Sequence, residues 1–240
     1  MENSKALIPA SVILGVALII GTFIVSQSVV SVKKLNDTLT VSGSAKEKVV
    51  SDSAKWRAVF SRNVYLTDIK NGYNLMKNDE ALVTKFLKNS GLKTEEINIS
   101  AVTMNQIYKN YQDAAQEYSL QQTVEINSTD IQKVTILAKN LKPIIDQGVI
   151  FSTQSLEYFT SQLPALRVSL LSNAIQDAKN RAQKISESSG KKVGAIQSAS
   201  MGVVQVMPVN SVDISDYGNY DTSTIDKEVM VTVKTIFRLE

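Results

Sequence analysis

Cysteine and histidine are both missing from the 240 residues. Their absence excludes disulfides, Cys/His zinc sites, thiol nucleophiles, histidine-ligated haem and any Ser-His-Asp triad. It also removes the side chain that most often serves as general base near neutral pH. Glycine is scarce at 10 residues, which argues against Gly-rich phosphate cradles. Neither sign of charge dominates: 26 basic against 23 acidic residues leave +3, too weak a balance to mark a nucleic-acid-binding protein. With 43% hydrophobic and 20% charged residues, the chain can still bury a core. Composition leaves few routes to an enzyme, and no cofactor or metal is expected.

What is present starts with a long apolar run. No residue from Ala6 to Val32 is charged, and Leu7–Val25 is apolar almost throughout. As a helix that stretch would reach roughly 28 Å, close to the hydrocarbon thickness of a bilayer. A helix of a soluble core would carry a polar face, and this run has none. Pro9 falls in its first turn, where a missing N–H costs little. Residues 1–34 therefore read as an uncleaved signal-anchor with one N-terminal transmembrane helix. The competing reading is a secretory signal cut near Ser26-Gln27-Ser28. The run is longer than the usual h-region of about 7–15 residues, which favours the anchor. Either way the body, 35–240, is carried toward or across the membrane and is expected outside the cytoplasm, in the periplasm or at the cell surface. Lys5 on one flank and Lys33-Lys34 on the other leave the orientation open.

The body alternates strands and helices. A strand through Leu39, Val41 and Gly43 is followed by Lys46-Glu47-Lys48, read as a charged turn or strand edge. Period-two alternation at Ala54, Trp56, Ala58 and Phe60 predicts a half-buried strand with Trp56 in the core. A first helix is expected from about Asp68 to Ser90, striped by Leu75, Met76, Leu82, Val83, Phe86 and Leu87 and ended by Gly91. Strands at about Ile97–Tyr108 and Glu117–Ile126 should form a hairpin with its tip at Tyr108–Tyr118. A second helix, capped by Thr129 or Asp130, follows Ile131, Val134, Ala138, Leu141 and Ile145, with Pro143 weakening its last turn and Gly148 closing it. After a strand at Val149–Phe159, a third helix runs from Pro164 to Gly190. Leu171, Ala174, Ile175, Ala178, Ala182 and Ile185 face inward; Asn173, Asp177, Asn180 and Lys184 face outward. An extended run Lys192–Met207, a polar loop Val209–Ile225 and a strand through Val229, Val231, Val233, Phe237 and Leu239 complete the body. Paired strands between helices argue for an α+β fold: antiparallel sheets with helices packed on one face. Ser90-Gly91-Leu92-Lys93 and Ser189-Gly190-Lys191-Lys192 end two helices alike, and internal duplication and a coincidence of common helix caps both explain it.

Three stretches carry a family resemblance. The first is Leu39-Thr40-Val41-Ser42-Gly43-Ser44-Ala45 with Val49–Asp52-Ser53-Ala54; the second is Leu87–Gly91-Leu92-Lys93 with Ile97 and Ser100. The third is Ala174, Ala178, Arg181-Ala182 and Ile185 ahead of Gly190-Lys191-Lys192-Val193-Gly194. In order and spacing the chain resembles the SIMPL-domain family of bacterial cell-envelope proteins over roughly Leu39–Leu239. Ser51 departs from the pattern, since the family often has proline there. The resemblance implies an exported or membrane-anchored protein, a SIMPL-like α+β domain over 35–240, self-assembly and no established catalytic residues. It also implies a link of some members to envelope or oxidative stress.

Candidate chemistry is thin. Ser-x-x-Lys spacings occur at Ser31/Lys34, Ser188/Lys191 and Ser189/Lys192, without the Lys-Thr-Gly or Ser-Asp-Asn that accompany such catalysis. Carboxylate pairs at Glu95/Glu96 and Asp213/Asp216 could serve acid–base work, but read more simply as a turn and a loop. The Asp216–Asp221 stretch lacks regular calcium-ligand spacing and reads as a solvated loop. Five of the eight tyrosines, Tyr108, Tyr111, Tyr118, Tyr217 and Tyr220, lie in the two predicted loops. Tyrosine suits interfaces, so these five are the candidate assembly or ligand surface. The leading expectation is a non-enzymatic, membrane-anchored homo-oligomer. The alternatives are a small-ligand or peptide-binding module of the envelope and a Ser-Lys or carboxylate hydrolase.

Overall fold

The computed structural model describes residues 15–16, 18–28, 37–108 and 115–240. Helix α1 covers residues 18–28, within the uncharged stretch, and the part of the expected membrane helix before residue 15 lies outside the described residues. Among the described residues, no helix is long and apolar enough to cross a membrane. The body is α+β. Its elements run β1 (Thr38–Val50), β2 (Ser53–Tyr65), α2 (Ile69–Asn89), β3 (Ile97–Ile99), β4 (Thr103–Ile107), β5 (Glu117–Ser128), α3 (Ile131–Lys139) and α4 (Lys142–Ile145). Then follow β6 (Ile150–Phe159), α5 (Leu163–Glu187), β7 (Val193–Met201), β8 (Gln205–Pro208), β9 (Asn219–Tyr220) and β10 (Asp226–Leu239).

The chain forms two compact units. The first takes the described residues of Met1–Lys46 with Arg167–Val204 and Met230–Glu240; the second takes Glu47–Leu166 and Gln205–Val229. Strands β1 and β10 and helix α5 each pass from one unit into the other along the chain.

The second unit holds a five-stranded sheet in the order β3-β5-β2-β6, with β4 also paired to β5. Strand β2 is antiparallel to β5 from Ala54↔Ser128 to Tyr65↔Glu117 and antiparallel to β6 through Trp56↔Leu156. The expected alternation holds: Ala54, Trp56, Ala58 and Phe60 are buried on one face, where α2, α3 and α4 contribute Met76, Val83, Leu87, Val134 and Ile144. Phe60 and Phe151 stack with centroids 6.5 Å apart, and Trp56 meets Phe151 edge-on at 6.0 Å. Strand Ile97–Tyr108, expected unbroken, is two pieces. Ile97 pairs with Ile126, but Thr103 pairs with Gln121, a one-residue slip between the pieces. At the break the Ser100 hydroxyl accepts from Thr123 N–H at 2.9 Å, taking a backbone carbonyl's place. The second predicted helix is also broken, because Pro143 has no N–H to continue the helix and instead lies in the first turn of α4. Asp130, rather than Thr129, is its cap, accepting from Lys133 N–H at 3.0 Å.

The first unit packs α5 on the inner face of the sheet formed by β1, β10 and β7. Its core is Val41, Ala174, Ala178, Ala182, Val233 and Phe237. Gly43 is set so close to α5 that a Cβ there would lie 2.2 Å from the Ala174 carbonyl oxygen and 2.4 Å from Ala178 N. Two inward or outward assignments change. Ile185 is half exposed, while Asp177, expected outside, turns back and accepts the backbone N–H of Ser44 at 2.9 Å. Lys46-Glu47-Lys48 is not a turn but part of β1, the end strand of the order β1-β10-β8-β9. In that sheet β7 pairs with β10, from Val233↔Met201 to Leu239↔Val193.

Two further features qualify the expected architecture. Strands β8 and β9 are parallel, Gln205↔Asn219 and Val206↔Tyr220, so the sheet that holds them is mixed, while the β3-β5-β2-β6 sheet pairs antiparallel. Gly91 and Gly190, both at positive φ, close α2 and α5 in the same way. Leu92 N–H bonds Leu87 O and Lys191 N–H bonds Ser186 O, the backward reach that needs a left-handed residue between.

Candidate functional site

The loop after β8 is two structures, not one solvated stretch. Its second half is clamped. Asp221 N–H donates to Val206 O at 2.8 Å, Tyr158 N–H to Thr222 O at 2.7 Å and Ser51 N–H to Ile225 O at 2.9 Å. At the start of β10 the fully buried Lys227 donates from Nζ to Asp221 O at 2.6 Å and Thr224 O at 2.5 Å, and pairs with Asp221 Oδ2 at 3.4 Å. Burial alone would push the Asp221 carboxyl up. Hydrogen bonds from Ser223 and Thr224 and the Lys227 charge outweigh it and hold Asp221 well below the usual carboxylate range. Burial lowers Lys227, against the opposing pull of Asp221. The Asp221 carboxylate is thus spent on Lys227, Ser223 and Thr224, which corrects the solvated-loop expectation here.

The first half projects. The buried Gln205 side chain braces it, donating from Nε2 to Ser215 O at 2.6 Å and accepting Ser215 N–H at 3.5 Å. The hydroxyls of Ser211 and Ser215 accept the N–H groups of Asp213 and Tyr217. On this frame Val212 is 87% exposed, Ile214 66% and Tyr217 97%. Three large apolar or aromatic side chains held out together on a fixed loop are unlike the single exposed apolar residues common on surfaces.

The five tyrosines do not share one role. Tyr108 and Tyr217 are strongly exposed. Tyr111 lies outside the described residues. Tyr118 is in β5 and packs against the core of the second unit, with its hydroxyl directed at Gln116 Oε1, 3.5 Å away. Tyr220 leans on Phe159, with ring centroids 6.1 Å apart, and its hydroxyl accepts Thr160 N–H at 3.4 Å.

The Ser-x-x-Lys candidates are tied to helix ends. Ser188 Oγ donates to Ile185 O at 2.6 Å and Ser189 Oγ to Ser186 O at 2.9 Å, while Lys191 pairs with Asp37. Ser31/Lys34 lies outside the described residues. Glu96 accepts Ser128 Oγ–H at 2.5 Å and Lys93 N–H at 2.7 Å, and the Ser128 bond first and the Lys93 bond second lower its pKa. It acts as a structural cap before β3.

Two arrangements escaped the sequence reading. Arg62 grips the buried Asp79 with Nε to Oδ2 at 2.6 Å and Nη2 to Oδ1 at 2.8 Å, and Nη2 also reaches Gly148 O at 2.9 Å. An acid at the inward spacing of Met76 and Val83 was the available signal. The second is a groove of about 610 Å³ in the first unit, beside β1 and α5, lined among others by Val41, Ser42, Arg181, Lys184 and Ile185.

The SIMPL family model, described as a protein of unknown function (DUF541), matches residues 39–237, and the chain belongs to that family. No curated protein matches the chain.

Proposed function

We propose that the chain is a non-enzymatic, membrane-anchored protein of the cell envelope whose body, residues 35–240, self-associates outside the cytoplasm. The observation that carries the reading is the braced loop with Val212, Ile214 and Tyr217 held in solvent. Ordering apolar side chains in water is unfavourable unless a contact covers them, and a loop already fixed loses little further entropy on binding. The anchor rests on the uncharged run from Ala6 to Val32. It is supported by the exposure of Leu18, Ile19, Ile20, Phe23, Ile24 and Val25 around helix α1, apolar side chains on every side. The non-enzymatic reading is supported by the commitment of Ser188, Ser189, Glu96 and Asp221 to local hydrogen bonds.

Light scattering of the full chain in detergent tests self-association: a particle of several chains is expected, and a monomer at high micromolar concentration sinks it. Carbonate washing tests the anchor, with the protein expected to stay in the membrane and to keep the N-terminal sequence Met1-Glu2. A soluble protein beginning near Val29 would mean a cleaved signal instead. The groove beside Val41 and Ile185 favours a second reading, a small-ligand or peptide module, because its volume lies in the range of ligand sites, about 300–1,000 Å³. A monomeric body would make that reading the leading one.

A further inference from the structure

We infer that the Val212–Tyr217 loop of one copy docks into the β1/α5 groove of a second copy, a head-to-tail contact between two different surfaces of the same chain. The inference rests on the self-association reading and specifies how it is achieved. The loop offers Val212, Ile214 and Tyr217 with Asp213 and Asp216 between them, and no basic residue lies between Val209 and Asp226. The groove offers the complement. Val41, Ile185 and the aliphatic stems of Arg181 and Lys184 give apolar walls, and the two heads supply positive charge. No acidic side chain lines it.

The basic heads can change partner at little cost. Arg181 is bonded to Asp177 at 2.9 Å and Lys184 to Glu187 at 3.0 Å, but the two cationic side chains are 56% and 80% exposed. Exposed helix pairs of this kind contribute only about 0.3–0.5 kcal/mol. Asp177 is also held by Ser44 N–H, so it stays in place when Arg181 turns toward an incoming Asp213 or Asp216. The groove also borders β1, which among the described residues has β10 as its one strand neighbour. Its other edge can meet the backbone of the incoming loop.

The geometry has a symmetry consequence. A loop meeting its own copy across a two-fold axis would bring Asp213 and Asp216 toward their own duplicates. A loop meeting the groove brings acid to base. The contact is heterologous, so repetition gives a closed ring or an open filament rather than a closed dimer.

The natural absence of cysteine makes the test clean, because introduced thiols have no background. Full-length Tyr217→Cys and Ile185→Cys chains are purified separately in detergent, mixed, and treated with a flexible bis-maleimide. A covalent dimer is expected in the mixture and none in either chain alone; the double variant should give a ladder beyond the dimer. Asp213→Lys combined with Asp216→Lys in the Tyr217→Cys chain should abolish the cross-link, and Lys184→Glu in its partner should restore it. A cross-link from Tyr217→Cys alone, loop to loop, overturns the proposal. Light scattering separates the two levels. Assembly without the mixed cross-link removes this contact and leaves self-association standing; a monomer removes both.

Discussion

The two units solve the same packing problem with opposite materials. The second fills the space between sheet and helices with large side chains: Trp56, Phe60, Phe151, Met76 and Leu120 are buried there. The first brings backbone to backbone, with Gly43 of β1 against Ala174 and Ala178 of α5 and Phe237 as the one aromatic of that core cluster among the described residues. Side-chain cores absorb local change by shifting rotamers. A backbone contact has no such reserve, and the smallest added atom must displace the helix. The second unit contains its own near approach, at Gly72, and there the neighbours are the ends of Val64 and Leu120 at 2.8 and 2.9 Å from a built Cβ. The Leu120 tip can rotate aside, and Val64, stiff at χ1, must shift slightly as a whole.

That contrast can be broken by substitution. The largest effect is expected from Phe60→Ala, which empties the centre of the aromatic cluster and should cost about 3–5 kcal/mol in urea unfolding followed by Trp56 fluorescence. The single tryptophan lies in the second unit, so its emission reports that unit. Next comes Gly43→Ala, expected to cost about 3 kcal/mol through overpacking against backbone. Its mark should be faster amide exchange in α5, with a smaller change in the Trp56 transition. Equal changes in both would show that the units unfold as one. Arg62→Leu should cost about 2–3 kcal/mol, because the Asp79 carboxylate would remain buried without its bidentate partner. Gly72→Ala should stay within about 1 kcal/mol, since the helix gains propensity while side-chain tips give way.

Acid supplies the smallest and most graded effect. Arg57 first, then Asn127 and Lys55, hold Glu125 down to about 2 from 4.5. A depressed carboxylate stabilises the fold above its unfolded value and loses that contribution as pH falls through the folded one. Between pH 4.5 and about 2, stability should therefore fall with pH, and Glu125→Gln should flatten that slope in the Trp56 transition. Asp177, lowered by the Ser44 backbone bond and then by Arg181, is the counterpart in the first unit. Its loss should appear in α5 exchange instead.

Much of this frame could be read in the sequence because periodicity reports burial directly. Ala54–Phe60 and Ala174–Ala182 each show their inner face through spacing alone. The family was legible too, in the spacing of Gly43, Gly91 and the Ala174–Gly194 stretch. Exposure of the candidate tyrosines was less legible: Tyr108 and Tyr217 stand in solvent, but Tyr118 and Tyr220 pack on their own unit. The failures were partners set by loop closure and tertiary contact rather than by period. No periodicity around Lys227 says that the loop just before it will curl two carbonyls onto its amine, nothing near Asp177 says that a strand N–H will claim it, and Gln205 meets Ser215 only once the loop has closed. A hydrogen bond across ten residues leaves no period behind. The slip at Ser100 was hidden for the same reason, because a serine hydroxyl replacing a carbonyl looks locally like any polar strand residue.

The passage of β1, α5 and β10 between the units has a consequence in time. The first unit is assembled from three separated stretches, and the third, Met230–Glu240, follows the whole of the second unit along the chain. The second unit has all its strands up to Val229 before then. During synthesis the aromatic core can therefore close while Gly43 and the alanine face of α5 still wait for Val233 and Phe237. No single cut in the chain yields either unit as one continuous fragment. The two units are therefore made as one interleaved chain.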